Sequence, residues 1–222
     1  MDGSPAASSA TEPETDRWHT RTDLIAILVA GLVLIGSGVL AKRELTDVEV
    51  AGFRAVNDLQ QSIRPFIWPL MQYGTFVTIP LLALIALAFR RVRLALALLL
   101  AGVGVYGLAR LMKIYVERGR PGELIADVNS RESFSPDSLG FPSGHAAVAA
   151  ALTVVVAAHL PRAWAIAAAA LAVVVMFGRM YVGAHLPLDL VGGVALGVIA
   201  GAVANLLIPP PVPDGDRYLS PD

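Results

Sequence analysis

The sequence predicts an all-α polytopic membrane protein, with six transmembrane helices in one bundle and a short amphipathic helix after the first span. Hydrophobic residues make up 55% and charged residues 16% of the 222-residue chain, and its mean hydropathy is +0.64. Such a profile is typical of integral membrane proteins. The apolar residues also form runs close to the ~20 residues that a transmembrane helix needs.

The charge and cysteine content limit the classes of function. The formal net charge is −1, so the chain offers no general basic field for nucleic acid, and we expect no nucleic-acid partner. There are no cysteines, which excludes disulfides and thiolate metal sites. The composition does not indicate an oligomeric state. The partner that the sequence does predict, from its hydropathy, is the membrane.

Three segments divide the chain. Residues 1–20 are rich in Ser, Pro, Ala, Thr and acidic residues, and predict a disordered cytoplasmic tail. Residues 21–208 form the six-span membrane domain, and residues 209–222 form a Pro-rich tail. The first span covers residues 24–41. The sequence Val39-Leu40-Ala41 resembles a signal-peptidase site, but the length of the run and its mixed-charge leader favour an uncleaved span.

The amphipathic helix is predicted within residues 44–64. Thr46 is a plausible N-cap, and Pro65 closes the segment. Apolar residues recur there at a spacing compatible with one helical face: Leu45, Val48, Val56, Leu59 and Ile63. We expect this helix to lie at the membrane interface or against the bundle. Simple packing is favoured over a role in guiding a lipid substrate.

The remaining spans follow from the other long apolar runs. They cover residues 66–89, 94–112, 146–160, 163–177 and 188–208. A polar loop at residues 113–144 separates the third span from the fourth. Six spans place both termini on one side of the membrane, and the loops after the first, third and fifth spans on the other.

Three polar motifs occur at span ends on that second side. They read K-x6-R-P, P-S-G-H and R-x5-H-x3-D, and they begin at Lys113, Pro142 and Arg179. Charged and titratable groups beside apolar runs are costly unless they pair with each other or line a polar cavity. The number of spans between the motifs places all three on one membrane face. The motifs therefore predict a single site.

With these motifs the chain resembles the type 2 phosphatidic acid phosphatase superfamily, which includes bacterial lipid-pyrophosphate phosphatases. The resemblance covers residues 113–189, with the order and internal spacing of the motifs intact. The third motif usually begins Ser-Arg, and here it begins Gly178-Arg179. The resemblance implies that the missing hydroxyl would contact phosphate; we expect either a water in its place or a modest loss of affinity. A neutral hydrogen bond is worth about 0.5–1.5 kcal/mol, so activity should survive.

The cations of the motifs suit a phosphate group. Lys113, Arg120 and Arg179 supply up to three positive charges, and the planar guanidinium binds phosphate oxygens in pairs. No carboxylate cluster of metal-ligand type accompanies them. We therefore predict metal-independent chemistry without a cofactor. In isolation, these residues would be ordinary cations that extend from span ends to the interface.

The second motif predicts an anion site at a helix start. Ser143 is a natural N-cap, and the exposed N–H groups after it point outward from the positive end of the fourth span. Gly144 has no side chain where the backbone would approach a phosphate closely. His185 and Asp189 are four residues apart, so the carboxylate can orient the imidazole. The residues alone leave open which histidine attacks.

The resemblance implies the roles. His185 is the nucleophile that forms a phosphohistidine, and Asp189 orients it. His145 protonates the leaving oxygen and then activates the water that cleaves the intermediate. The implied substrate is a lipid phosphate, with phosphatidic acid, phosphatidylglycerol phosphate and polyprenyl pyrophosphates all compatible with the sequence. A lipid phosphotransferase on the same site is the alternative within the family.

A six-span anion transporter or channel is the alternative from another class. It explains the cations but leaves the pairing of His185 with Asp189 without a purpose. We also expect Asp127, Glu132 and Asp137, in the polar loop, to be solvated, or one of them to tune a neighbouring cation.

The orientation in the membrane does not follow from charge alone. The turn at residues 90–93, Arg-Arg-Val-Arg, favours a cytoplasmic location by the positive-inside rule. Other basic residues crowd the opposite face and nearly cancel this signal. The resemblance implies a bacterial cell membrane, both termini in the cytoplasm, and a site that faces the extracytoplasmic side.

Overall fold

The computed structural model of the chain describes residues 14–133, 135 and 138–211, with side-chain burial from Thr20 onward. Within these ranges all regular elements are helices. They are α1 (Glu14–Ala41), α2 (Asp47–Asn57), α3 (Arg64–Met71), α4 (Thr78–Ala88), α5 (Val92–Val116), α6 (Pro121–Leu124), α7 (Gly144–His159), α8 (Arg162–Tyr181) and α9 (Pro187–Leu207). The predicted all-α class is confirmed.

The first helix begins earlier than predicted. We expected a disordered tail over residues 1–20, whereas α1 begins at Glu14. Residues 1–13 lie outside the described part of the chain. No Gly or Pro occurs between Pro13 and Gly31, so neither residue type interrupts the helical hydrogen bonds. The helix therefore continues from the apolar run into the polar residues before it. The tail prediction is therefore wrong for residues 14–20.

The second predicted span, residues 66–89, is broken in two. The axis of the segment Gln61–Gly74 makes an angle of 69° with that of α4. The hydroxyls of Thr75 and Thr78 both donate to the carbonyl oxygen of Gln72, at 2.8 Å each. The same oxygen also accepts the N–H of Thr75 at 3.0 Å, whereas a continuous α-helix would bond it to the N–H of Phe76.

Fewer helices than predicted meet the length and composition that a membrane span requires. Four helical segments of the described chain are long and apolar enough to cross a membrane, and five if the bent pair is one span. The remaining predicted span corresponds to α7, which has 16 residues. At 1.5 Å per residue it is about 24 Å long, short of the ~30 Å hydrocarbon core.

The centre of the bundle is the contact between α7 and α9. Gly193, Gly197 and Gly201 recur every fourth residue on α9 and face α7. A Cβ at Gly197 would collide with the carbonyl oxygen of Ala147, and one at Gly201 would lie 3.0 Å from that of Ala151. Small residues at this spacing let two helix backbones touch. The contact fixes the N-terminal ends of α7 and α9 relative to each other.

The helix predicted after the first span is present, but it buries an unexpected face. The Thr46 hydroxyl caps α2 by accepting the N–H of Glu49 at 3.2 Å, as predicted. The buried residues of α2 are Glu49, Phe53 and Asn57, whereas Val48, on the expected apolar face, is 83% exposed. Glu49 and Asn57 are buried because they bond to partners on distant segments, which helical periodicity does not reveal.

Candidate active site

The three motifs meet at one end of the bundle. Arg120 of the first motif donates from Nη1 to the carbonyl oxygen of Ala184, in the third, at 2.9 Å. The N–H of Ser143, in the second motif, donates to the carbonyl oxygen of Asp189 at 2.9 Å. This end of the bundle holds all of the predicted site residues: Lys113, Arg120, Ser143, Gly144, His145, Arg179, His185 and Asp189.

His185 and Asp189 form the buried centre of the site. His185 lies in the loop between α8 and α9, and Asp189 lies in the first turn of α9. The side chains are 4% and 0% exposed, with 3.6 Å between His185 Nδ1 and Asp189 Oδ2. The same Oδ2 accepts the N–H of Leu186 at 2.9 Å. The carboxylate is thus fixed beside the imidazole, as the four-residue spacing predicts.

Burial keeps His185 neutral. It lowers the pKa of His185 to about 4, with further lowering by the positive charges of Arg179 and Arg120 and an opposing effect of Asp189. A neutral imidazole has a lone pair on one ring nitrogen. Because Nδ1 faces Asp189, the lone pair resides on Nε2 when Nδ1 carries the proton. The loop therefore presents His185 in the form that attacks an electrophile.

The second motif opens α7 beside this pair. Ser143 is buried, and its hydroxyl accepts the N–H of Ala146 at 3.4 Å. A Cβ built at Gly144 meets no other part of the protein within 4 Å, so the backbone there borders open space. His145 follows, and the positive charge of Arg179 acts on it. The break in the second span packs here, because a Cβ at Gly74 would lie 2.7 Å from the His145 carbonyl oxygen.

Main-chain carbonyls hold two of the three predicted cations. The ammonium of Lys113 donates to the carbonyl oxygen of Leu139. The Nε of Arg120 donates to the carbonyl oxygen of Ser138 at 3.1 Å and to its hydroxyl at 2.6 Å. Both cations are half-buried. These contacts fix the side chains at the edge of the site, where two positive charges stand close together.

Arg179 is held differently, by a carboxylate. It is 4% exposed, and its Nη1 lies 2.8 Å from Oε2 of Glu132. We expected the acidic residues of the polar loop to be solvated, or one of them to tune a cation. Glu132 meets the second expectation. Asp127 is exposed, and Asp137 lies outside the described residues.

The sequence motifs miss two further charged residues of the site. Arg118 lies inside the first motif and is 6% exposed. It contacts Asp189, with Nη1 3.1 Å from Oδ1, and also Glu49 of α2, with Nη2 2.7 Å from Oε2. Arg118 stands two residues before Arg120 in the sequence, and that proximity was the only available signal. Nothing in the spacing of α2 singles out Glu49.

Gly178, where the third motif usually has serine, lies against apolar side chains. A Cβ at Gly178 would lie 3.0 Å from Sδ of Met71 and 3.1 Å from Cγ2 of Ile67. Both contacts belong to α3, and Met71 also reaches Arg179, with 3.8 Å between Sδ and Nη1. The position therefore serves the packing of α3 on α8. The expected loss of a phosphate contact stays a prediction.

The chain is similar to known proteins over most of the region that carries the motifs. The model of the PAP2 superfamily matches residues 90–210. An undecaprenyl-diphosphatase of Sulfolobus acidocaldarius is 30% identical over 129 residues, which are 58% of this chain and 62% of that protein. The match thus spans less than two thirds of that relative.

Two solved structures share the fold. The crystal structure of Aquifex aeolicus LpxE superposes with a TM-score of 0.67 and 24% identity, over 72% of this chain and 96% of that one. A PAP2 type phosphatidylglycerolphosphate phosphatase from Bacillus subtilis gives a TM-score of 0.63 and 22% identity, over 82% and 94% of the two chains. At these identities the superpositions concern the fold alone.

Proposed function

The chain belongs to the PAP2 superfamily, and from that membership and the geometry of the site we propose that it is a membrane-embedded lipid phosphatase. It hydrolyses a phosphate monoester or a pyrophosphate on a lipid through a phosphohistidine intermediate. The observation that carries the proposal is a buried imidazole, His185, which lies between the carboxylate of Asp189 and the charges of Arg120 and Arg179.

Binding of the phosphate group is the first step. Lys113, Arg120 and Arg179 supply positive charge, and the N–H groups at the start of α7 supply donors beside the open space at Gly144. Charge spreads over the equatorial phosphate oxygens during transfer, and fixed cations stabilise that charge without reorganisation. The carboxylate of Glu132 leaves Arg179 as a phosphate oxygen takes its place.

Transfer to the enzyme follows. His185 attacks phosphorus through Nε2, a P–N bond forms, and the bond from phosphorus to the leaving oxygen breaks. His145, protonated at this stage, gives its proton to that oxygen. Asp189 stabilises the positive charge that develops on the His185 ring.

Hydrolysis then regenerates the enzyme. Neutral His145 takes a proton from water, the hydroxide attacks phosphorus, and the P–N bond breaks. Inorganic phosphate leaves and His185 is again neutral. These reaction steps need no metal.

The substrate and topology belong to the same proposal. The similarity to an undecaprenyl-diphosphatase and the apolar helices around the site support a lipid substrate, such as phosphatidic acid, phosphatidylglycerol phosphate or a polyprenyl pyrophosphate. We propose six spans, with α3 and α4 together as the second and α7 as the fourth. Both termini are then cytoplasmic, and the site faces the extracytoplasmic side of a bacterial cell membrane.

A phosphate-release assay on purified protein tests the proposal. Lipid phosphates and pyrophosphates are compared in detergent, with and without EDTA. His185→Ala should abolish release, and His159→Gln should leave it unchanged because His159 ends α7 on the opposite side of the bundle. Release of phosphate indicates a hydrolase, whereas transfer to an added lipid alcohol indicates a phosphotransferase. Full activity in His185→Ala would refute the assignment of the nucleophile.

A further inference from the structure

We infer that Glu49 and Arg118 are positioning residues of the catalytic site, and that they form with Asp189 a buried ion chain which sets the alignment of His185. The inference rests on the proposed function for its account of the reaction. It extends the site beyond the three motifs, to a helix that lies outside the region matched by the family model, residues 90–210.

The chain of contacts is continuous from α2 to the nucleophile. Arg118 meets Glu49 with both ends of its guanidinium, since Nη1 lies 3.0 Å from Oε1 and Nη2 lies 2.7 Å from Oε2. Its Nη1 also lies 3.1 Å from Oδ1 of Asp189. The three side chains are 6%, 4% and 0% exposed in the order Glu49, Arg118 and Asp189. Paired contacts of this kind fix direction as well as distance.

Glu49 also holds the backbone that follows the nucleophile. Its Oε1 accepts the N–H of Leu188 at 3.1 Å, while Oδ2 of Asp189 accepts the N–H of Leu186 at 2.9 Å. Two carboxylates thus bind the N–H groups at the start of α9, one from outside the helix and one from within it. Because His185 immediately precedes these residues, the same bonds restrict the loop that carries it.

The charges make a structural role and a positioning role distinguishable. Asp189 is shared between Arg118 and His185. Removal of the Arg118 charge leaves the carboxylate to His185 alone, which raises the pKa of His185. Removal of the Glu49 charge leaves Arg118 to Asp189 alone, which lowers the pKa of His185.

The other charged groups that act on His185 or lie beside it stay the same in both cases. They come from the loop before α6, from α7 and from α8: Arg120, His145 and Arg179.

The test compares Glu49→Gln, Arg118→Gln and Arg118→Lys in full-length protein. Glu49→Gln keeps an oxygen for the Leu188 N–H, removes the negative charge and places an amide N–H₂ opposite Nη2 of Arg118. Arg54→Gln is the control, because Arg54 lies on the same helix with a side chain 37% exposed. The readouts are the pH dependence of kcat/KM for a lipid phosphate, and an NMR titration of ¹³C-labelled histidines, with the His185 signal identified by its loss in His185→Ala.

Opposite shifts are expected. The acid limb of kcat/KM and the NMR pKa of His185 should rise by about half a unit to one unit in Arg118→Gln and fall by a similar amount in Glu49→Gln. In both variants kcat should drop by up to about 100-fold through misalignment, with KM little changed. Arg118→Lys should keep the wild-type limb and part of kcat, since the cation remains.

The inference would be overturned if Glu49→Gln and Arg118→Gln had the same acid limb of kcat/KM, or if the two variants shifted it in the same direction. If Arg118→Gln does not fold, the contrast between Glu49→Gln and Arg118→Lys decides the question. If the wild-type protein releases no phosphate, the proposed function fails, and the NMR titration still measures the coupling of His185 to the ion chain.

Discussion

Replacement of Glu132 by Gln should strengthen the binding of phosphate analogues. In the structure Oε2 of Glu132 lies 2.8 Å from Nη1 of Arg179, and the carboxylate side chain is 22% exposed. A hydrogen bond to a charged group contributes about 1.5–3 kcal/mol net. Arg179 must give up this contact with Glu132 before it binds an incoming oxyanion. A neutral amide competes less well, so the lower end of that range corresponds to about tenfold tighter binding.

The assay is inhibition by vanadate, which mimics the pentacoordinate phosphorus. The inhibition constant is measured for wild type, for Glu132→Gln and for a control, Glu44→Gln, which removes an exposed carboxylate near the same end of the bundle. The constant should fall about tenfold in Glu132→Gln and stay constant in the control. If vanadate binds Glu132→Gln more weakly than wild type, Glu132 orients Arg179 for the phosphate instead of competing with it.

Four further predictions test the site and the fold. Phosphate release should persist after exhaustive chelation, and loss that added magnesium restores would contradict the mechanism. Acid-labile label from a radioactive substrate should appear on His185, and should not turn over in His145→Ala. Because the pKa of His185 is lowered to about 4, the imidazole is neutral above that pH, so the loss of kcat/KM on the acid side should occur near pH 4; an acid-side loss near pH 6.5 would contradict this. Gly197→Ala places a Cβ against the backbone of α7 and should destabilise the protein by about 1–3 kcal/mol. Gly107→Ala, in open space within α5, should not lower Tm, because Ala favours a helix interior over Gly.

The sequence predicts the part of the site that lies in local motifs. His185 and Asp189 meet because Asp189, in the first turn of α9, reaches back to the loop residue just before that helix. Ser143 caps α7 because its residue type suits a helix start. Polar residues at the ends of apolar runs gather at one end of the bundle, which the hydropathy pattern reveals. These features depend on neighbours a few residues apart.

Contacts between distant segments are not visible in the same way. Glu49 and Arg118 are 69 residues apart, and neither spacing nor periodicity indicates that they pair. The break in the second span was missed because Phe76 and Val77 are apolar and continue the hydropathy signal across a helix end. At the break, the carbonyl oxygen of Gln72 accepts the N–H of Thr75 and the hydroxyls of Thr75 and Thr78. A hydropathy average counts these threonines as minor polar residues.

The glycine row between α7 and α9 has a consequence for how the proposed lipid substrate reaches the site. Where two backbones touch, no side chain is present whose rotamer could change to let one helix slide past the other. His145, at the start of α7, and the His185–Asp189 pair, at the start of α9, therefore belong to one rigid body. Any opening that admits a headgroup must arise in the elements around that body. The bent second span, which touches it through Gly74, is one such element.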